Sequence, residues 1–276
     1  LTLVGGFAST LSFPAVVWLI AWLDWRGALA VVGAILLCAV APLHAWALRG
    51  NLGHSMQAAQ ASPADDATVH EAIRQPAFWF LTTAFALHSF AVAAIFAHLM
   101  PALAEKGLSE AESLAVVVWF GPAQVLARFT YASLRTGRTP PLLALAVIAG
   151  MPLALAIFAV SNRTVGLLCF SILFGLSNGL VTIVRGSLVP DYFGRRHVGR
   201  ISGAMSAIAL LSRAAAPFAI AWMLIPLHSY RNVLWALTAL GVGAVCAYAA
   251  AGRPRDSMPA SMAPQPADTT SVHRSV

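Results

Sequence analysis

The chain has 276 residues, of which 59% are apolar and only 10% charged, and its mean hydropathy is +0.77. A soluble globular domain carries about 25% charged residues, so a water-soluble enzyme, a nucleic-acid binder and a disordered chain are all excluded, and an integral membrane protein remains. The balance is basic, with 17 Lys+Arg against 10 Asp+Glu. Lys106 is the sole lysine, and most of the arginines sit between apolar runs, where positive charge marks the cytoplasmic side of a membrane.

A helix needs about 20 apolar residues to cross the hydrocarbon core. Eight such runs follow one another, at 1–23, 27–48, 76–100, 111–133, 139–160, 164–186, 200–225 and 230–251. No period-two pattern is present, so the runs predict helices and not a β-barrel. Residues 49–75 form the one long internal loop. Within it Thr68-Val69-His70-Glu71 reads as a capping box that opens a short helix, which Pro76 interrupts. Residues 252–276 hold four Pro with Ser and Thr and few apolar residues, the composition of a disordered tail. Cys38, Cys169 and Cys246 lie inside apolar runs and far apart, which predicts small packing residues.

Arginine placement sets the orientation. Loop 49–75, the turns near 134–140 and 187–199, and the tail, with the helix ends that feed them, collect twelve cations; the opposite side holds four, Arg26, Lys106, Arg163 and Arg231. The first side is therefore predicted to be cytoplasmic, with both ends of the chain there. Trp18, Trp22, Trp25, Trp222, Tyr230 and Trp235 would mark the outer interface, and Trp46, Trp79, Tyr192 and Tyr248 the inner one. Leu1 already lies inside a run with no charged leader before it, which reads as a fragment of a longer protein.

One cation falls at the middle of a span. Arg213 lies near the centre of 200–225, where an arginine costs about 2.5–3.5 kcal/mol on insertion scales. It is either a structural arginine bonded to neighbouring backbone carbonyls or a cation that faces a cavity and binds an anion. Gly199, Gly203, Ser206, Arg213 and Pro217 form one small and polar stripe. Ser171, Gly175, Asn178, Thr182 and Arg185 form another, in which Asn178 needs a partner at mid-depth and Arg185 is read first as an inner-interface anchor. In 111–133, Gln124 is a candidate cavity residue, Arg128 an interfacial one, and Trp119 an aromatic at mid-depth. His88 is central in 76–100, as a neutral histidine bonded between helices or as a proton carrier. Gly175-Leu176-Ser177-Asn178-Gly179 matches G-x-S-x-G, but inside an apolar helix without acid and base partners it reads as a small-residue packing motif. No enzyme activity is expected, and neither a metal set nor a phosphate-binding loop is expected.

The layout of two helices, a long polar loop, six helices and a tail resembles the major facilitator superfamily from its fifth to its twelfth helix. Three stretches carry the resemblance. Gly5-Gly6-Phe7-Ala8-Ser9-Thr10 leads through Asp24-Trp25-Arg26 into the next helix. Gly121-Pro122-Ala123-Gln124 runs to Arg135-Thr136-Gly137-Arg138, whose R-x-G-R form is similar to the end of the family's cytoplasmic loop motif, with Leu134 in place of the acidic member and Thr130 in place of the opening glycine. Gly175-Leu176-Ser177-Asn178-Gly179 continues through Arg185-Gly186 to Phe193-Gly194-Arg195-Arg196. The resemblance implies an all-α membrane protein of two bundles with a cavity between them. Residues 1–48 would end the first bundle, 49–75 be the central loop, 76–251 the complete second bundle, and 252–276 the tail. Such a piece is expected not to transport by itself.

The function so implied is secondary transport of a small organic solute by alternating access, in a multi-pass protein of the plasma membrane (the inner membrane of a bacterium). Partners would be the solute, the bilayer and a coupled proton or ion, with no cofactor and no nucleic acid. Arg213, Asn178, Gln124, His88 and Trp119 are the candidate substrate residues, and Arg135, Gly137 and Arg138 the loop motif. A central arginine with no central carboxylate favours an organic anion such as a carboxylate. Efflux of neutral or cationic drug-like compounds, or a receptor or scaffold role, are the alternatives.

Overall fold

The computed structural model describes residues 2–49, 67–134 and 141–252. The predicted tail and the Arg135, Gly137 and Arg138 motif lie outside the described residues, as does most of the central loop. Among the described residues every regular element is helical. They are α1 (Thr2–Ile35), α2 (Ala41–Arg49), α3 (Val69–Arg74), α4 (Pro76–Glu105), α5 (Glu110–Val117), α6 (Phe120–Leu134), α7 (Pro141–Val160), α8 (Thr164–Phe193), α9 (Val198–Leu227) and α10 (Tyr230–Ala250).

Among the described residues seven helical stretches are long and apolar enough to cross a membrane, one fewer than the eight apolar runs. The difference lies at the start. The first two runs form one helical stretch, in which α1 continues through a π-helical segment, Leu36–Val40, into α2. Asp24 interrupts α1 with φ 60° and ψ 167°, a backbone region that costs a non-glycine residue about 1–3 kcal/mol. The break therefore falls at the Asp24-Trp25-Arg26 turn expected from the sequence. The fourth run, 111–133, is also split. Val118 and Trp119 form a turn between α5 and α6, next to Gly121-Pro122, because a proline inside a helix removes one donor and crowds the preceding turn.

The short helix opens as read. Thr68 accepts from the Glu71 amide, and the Glu71 carboxylate accepts from the Thr68 amide at 2.7 Å. Gln75 is then extended, as a residue before proline tends to be, and Pro76 takes the first turn of α4. The segment lies across one end of the bundle, held by Ala67 N–H to Phe193 O (3.0 Å) and Trp79 Nε1 to Ile73 O (2.9 Å). The adjacent C-terminus of α8 ends on Gly194 at φ 86°, a conformation that side chains resist.

Helix α4 packs broadly on α9 and α10, α10 on α7, α7 on α8, and α8 on α6; α1 joins the rest through α6. Contact between α8 and α9 is sparse by comparison. Two apolar clusters fill the interior. One gathers Phe120, Phe158, Phe170 and Phe174, with Phe158 stacked on Phe170 at 4.3 Å; the other gathers Phe78, Phe85, Val184, Met205 and Tyr248. Helices in lipid gain little from burial as such, so these clusters hold by close packing.

The aromatics predicted to mark the interfaces differ in exposure. Trp18, Trp22, Trp25, Trp222, Trp235, Trp46 and Trp79 are exposed on the chain's surface. Tyr192 and Tyr248 are not; both are buried, with hydroxyls donating to Gly252 O (2.6 Å) and Pro141 O (3.3 Å). They tie helix ends together instead of floating at the interface. The cysteines also depart from expectation: all three are free and exposed, on helix faces that look outward.

Candidate functional site

The contact between α8 and α9 is sparse, and two of the five candidate residues, Asn178 and Arg213, lie on these two helices. A polar link crosses it. Arg185 of α8 donates from Nη2 to Ser206 Oγ of α9 at 2.7 Å, and its guanidinium lies 5.5 Å from the centre of the Phe85 ring on α4. Arg185 is thus half-buried among three helices, not a simple interface anchor. Ser206 is itself held, donating to Ser202 O at 2.6 Å.

That link fixes the register of the cleft. Helices α8 and α9 are joined by a short connection and run in opposite directions. Asn178 lies seven residues before Arg185, and Arg213 seven residues after Ser206. Seven residues are almost two whole turns, about 10.5 Å along the axis. Asn178 and Arg213 therefore stand at one height, each on the face of its helix that carries the bonded pair. Arg213 is exposed and makes no hydrogen bond or ion pair with any described residue; Asn178 is half-buried and likewise unbonded. The backbone next to Arg213 is fixed by Ser212, whose Oγ donates to Ala86 O of α4 at 3.0 Å. The two helices are bonded at the Arg185–Ser206 level, while Asn178 and Arg213 have no hydrogen-bond or ion-pair partner among the described residues, which leaves the Arg213 charge unneutralised.

Other candidates go elsewhere. Gln124 does not line the cleft. It is 7% exposed, and its backbone lies directly against Gly179. The reason is the small-residue face of α8: a Cβ on Gly175 would come within 2.7 Å of Ala123 Cβ and 2.8 Å of Phe120 O, and one on Gly179 within 2.9 Å of Gln124 Cα. The Gly175-x-x-x-Gly179 pair is the close-packing motif read from the sequence. Ser171 belongs to the same contact, donating to Val116 O at 2.6 Å beside the α5–α6 break. The predicted polar stripe of α8 is therefore split, with Ser171 turned to α5, Gly175 to α6 and Arg185 to α9. Arg128 of α6 also crosses this contact, from Nε to Gly179 O at 3.1 Å.

His88 is 4% exposed, and neither ring nitrogen has a partner; the interhelical hydrogen bond expected of it is absent. It falls between the two apolar clusters, where α4 offers only apolar neighbours such as Ala84, Ala91 and Val92. Trp119 sits at the α5–α6 break and is 47% exposed. Sequence reasoning missed Ser206 as the partner of Arg185, and Phe85 as its aromatic support. Ser206 was on the α9 stripe, but pairing it required the register between two helices. No group of three or more His, Cys, Asp or Glu able to hold a metal occurs among the described residues.

A search of curated proteins finds no match to the chain. A family model does match: that of the Major Facilitator Superfamily, over residues 1–217. The match takes in α1 through the first two-thirds of α9, including the break at Asp24 and both walls of the cleft. With its all-helical architecture and its apolar spans, the chain belongs to the major facilitator superfamily and is a multi-pass membrane transporter.

Proposed function

We propose that this transporter moves a small organic anion, carboxylate-bearing in its simplest form, by secondary active alternating access. The carrying observation is Arg213, an arginine near the centre of a span that no described residue neutralises. Backbone carbonyls and the Asn178 amide could accept its hydrogen bonds but could not cancel its charge. A carboxylate does both through a bidentate fork. Asn178, at the same height on the facing helix, offers an amide for the rest of the solute. Arg185, about 10.5 Å further along, adds positive potential at the closed end of the cleft. On this reading residues 76–251 act as one bundle and 2–48 belong to the other, with the arginine-rich side cytoplasmic. Gln124 and His88, both buried, are set back from the solute on this reading.

The test is binding of a panel of small mono- and dicarboxylates to the purified protein, with thermal unfolding as a control for folding. Arg213→Lys keeps the charge but loses the fork, and weakens binding about tenfold. Arg213→Ala weakens it about a hundredfold or more and leaves the protein folded. Wild-type affinity in Arg213→Ala, or binding of cations alone, overturns the assignment.

A further inference from the structure

A second polar site stands apart from the cleft, where α4 and α7 end and α10 begins. There the chain places two adjacent opposite charges on two helix termini. Both oxygens of the Glu105 carboxylate accept from the Tyr230 amide (3.0 and 2.9 Å), and Oε1 also accepts from Ser229 Oγ at 2.9 Å. Glu105 thus covers the positive N-terminus of α10. The Lys106 ammonium donates to Ser161 O at 2.9 Å and Asn162 Oδ1 at 3.3 Å, just past the C-terminus of α7.

Between these groups lies a cavity of about 320 Å³, lined by Glu105, Lys106, Asn162, Ser229, Tyr230 and Arg231. Its acceptors are already engaged. Glu105 is turned to α10, and the Asn162 carbonyl is taken by Lys106. Its donors are in surplus: the Arg231 guanidinium is exposed and bonded to no described residue, and the Asn162 amide nitrogen has none of the bonds it could donate. One carboxylate faces two cations, so the cavity carries a net positive charge. Burial first, and then the Arg231 charge, hold the Lys106 amine below its ordinary value, while Glu105 pulls the other way. Such a lining suits an anion with several acceptor oxygens. Its position at the ends of three spanning helices puts it at headgroup depth.

We propose that this cavity binds a phosphate group, with Arg231 as its principal ligand and Lys106 as a second charge. The group is either the headgroup of an anionic phospholipid or free phosphate from the aqueous side. The experiment is thermal unfolding of the full chain in micelles of a phosphate-free maltoside detergent alone, with phosphatidylglycerol added, or with inorganic phosphate added. The wild-type midpoint rises in at least one of the two supplemented arms. A rise with phosphatidylglycerol alone identifies the lipid, and a rise with inorganic phosphate in the maltoside identifies the free anion. Arg231→Gln removes the rise, Arg231→Lys keeps most of it, and Arg26→Gln, which removes a cation outside the cavity, leaves it intact. No rise in either arm for the wild type, or an equal rise in Arg231→Gln, overturns the proposal. Because Arg213 takes no part, failure here leaves the anion-transport reading untouched.

Discussion

Helix α8 has two faces that are built in opposite ways. Toward α6 it presents Gly175 and Gly179, and the two backbones meet with no room for a methyl group. Toward α9 it presents Asn178 and Arg185, and the helices touch at little more than one arginine–serine bond. Small residues let a helix lock to one neighbour by van der Waals contact alone. Polar and charged residues on its other side hold the next neighbour at a distance, because each must find a partner that lipid cannot supply. A single helix can thereby serve as a wall on one side and a lip of a cleft on the other.

The contrast can be broken most severely on the closed side. Gly179→Val pushes branched methyl groups into the Gln124 backbone and is expected to cost about 3 kcal/mol, the upper end of ordinary overpacking; thermal unfolding in detergent measures it. The matched control is Gly203→Ala on α9. A Cβ there meets nothing within 4 Å, so its midpoint should stay at or slightly above wild type. Equal losses in the two variants would erase the distinction between the faces. On the open side, the loss of anion binding in Arg213→Ala is the next largest effect. Ser206→Ala is smaller: it removes the acceptor of the Arg185 bond and should destabilise by about 1.5–3 kcal/mol if that bond closes the cleft, and by much less if water replaces it. Smallest of all, His88→Leu removes two buried ring nitrogens that have no partner and should be neutral or stabilising by about 1 kcal/mol. A marked destabilisation would mean that His88 is satisfied by a bound water.

These faces differ also in how far the sequence revealed them. The spans, the Thr68–Glu71 capping box, the break at Asp24 and the G-x-x-x-G contact are local patterns, legible because their partners lie within a few residues or follow from a spacing. Arg213 was legible because a charge in the middle of an apolar run is costly wherever it points. What was not legible depended on relative rotation of helices. Gln124 and Asn178 looked alike as single amides near mid-depth, yet one is buried against a glycine and the other edges an open cleft. Tyr192 and Tyr248 carried the composition of interface anchors but bond to helix ends instead. The register between α8 and α9 came from one bond, Arg185 to Ser206, which no single-helix pattern encodes.

The stitching of helix ends has a mechanical consequence. At one end of the bundle the Glu105–Lys106 pair fastens α4 to both α7 and α10. At the other, Tyr248 fastens α10 to the start of α7, and Tyr192 fastens α8 to the residue just past α10. Helices α4, α7, α8 and α10 are thus clamped at their extremities, and α8 carries α6 with it through the glycine contact. Such a clamped set behaves as a stator. Helix α9 is tied to this set through α4, where Ser212 Oγ donates to Ala86 O and His98 Nε2 to Pro217 O, both at 3.0 Å, and only sparsely through α8, so the seam between α8 and α9 is the least constrained in the bundle.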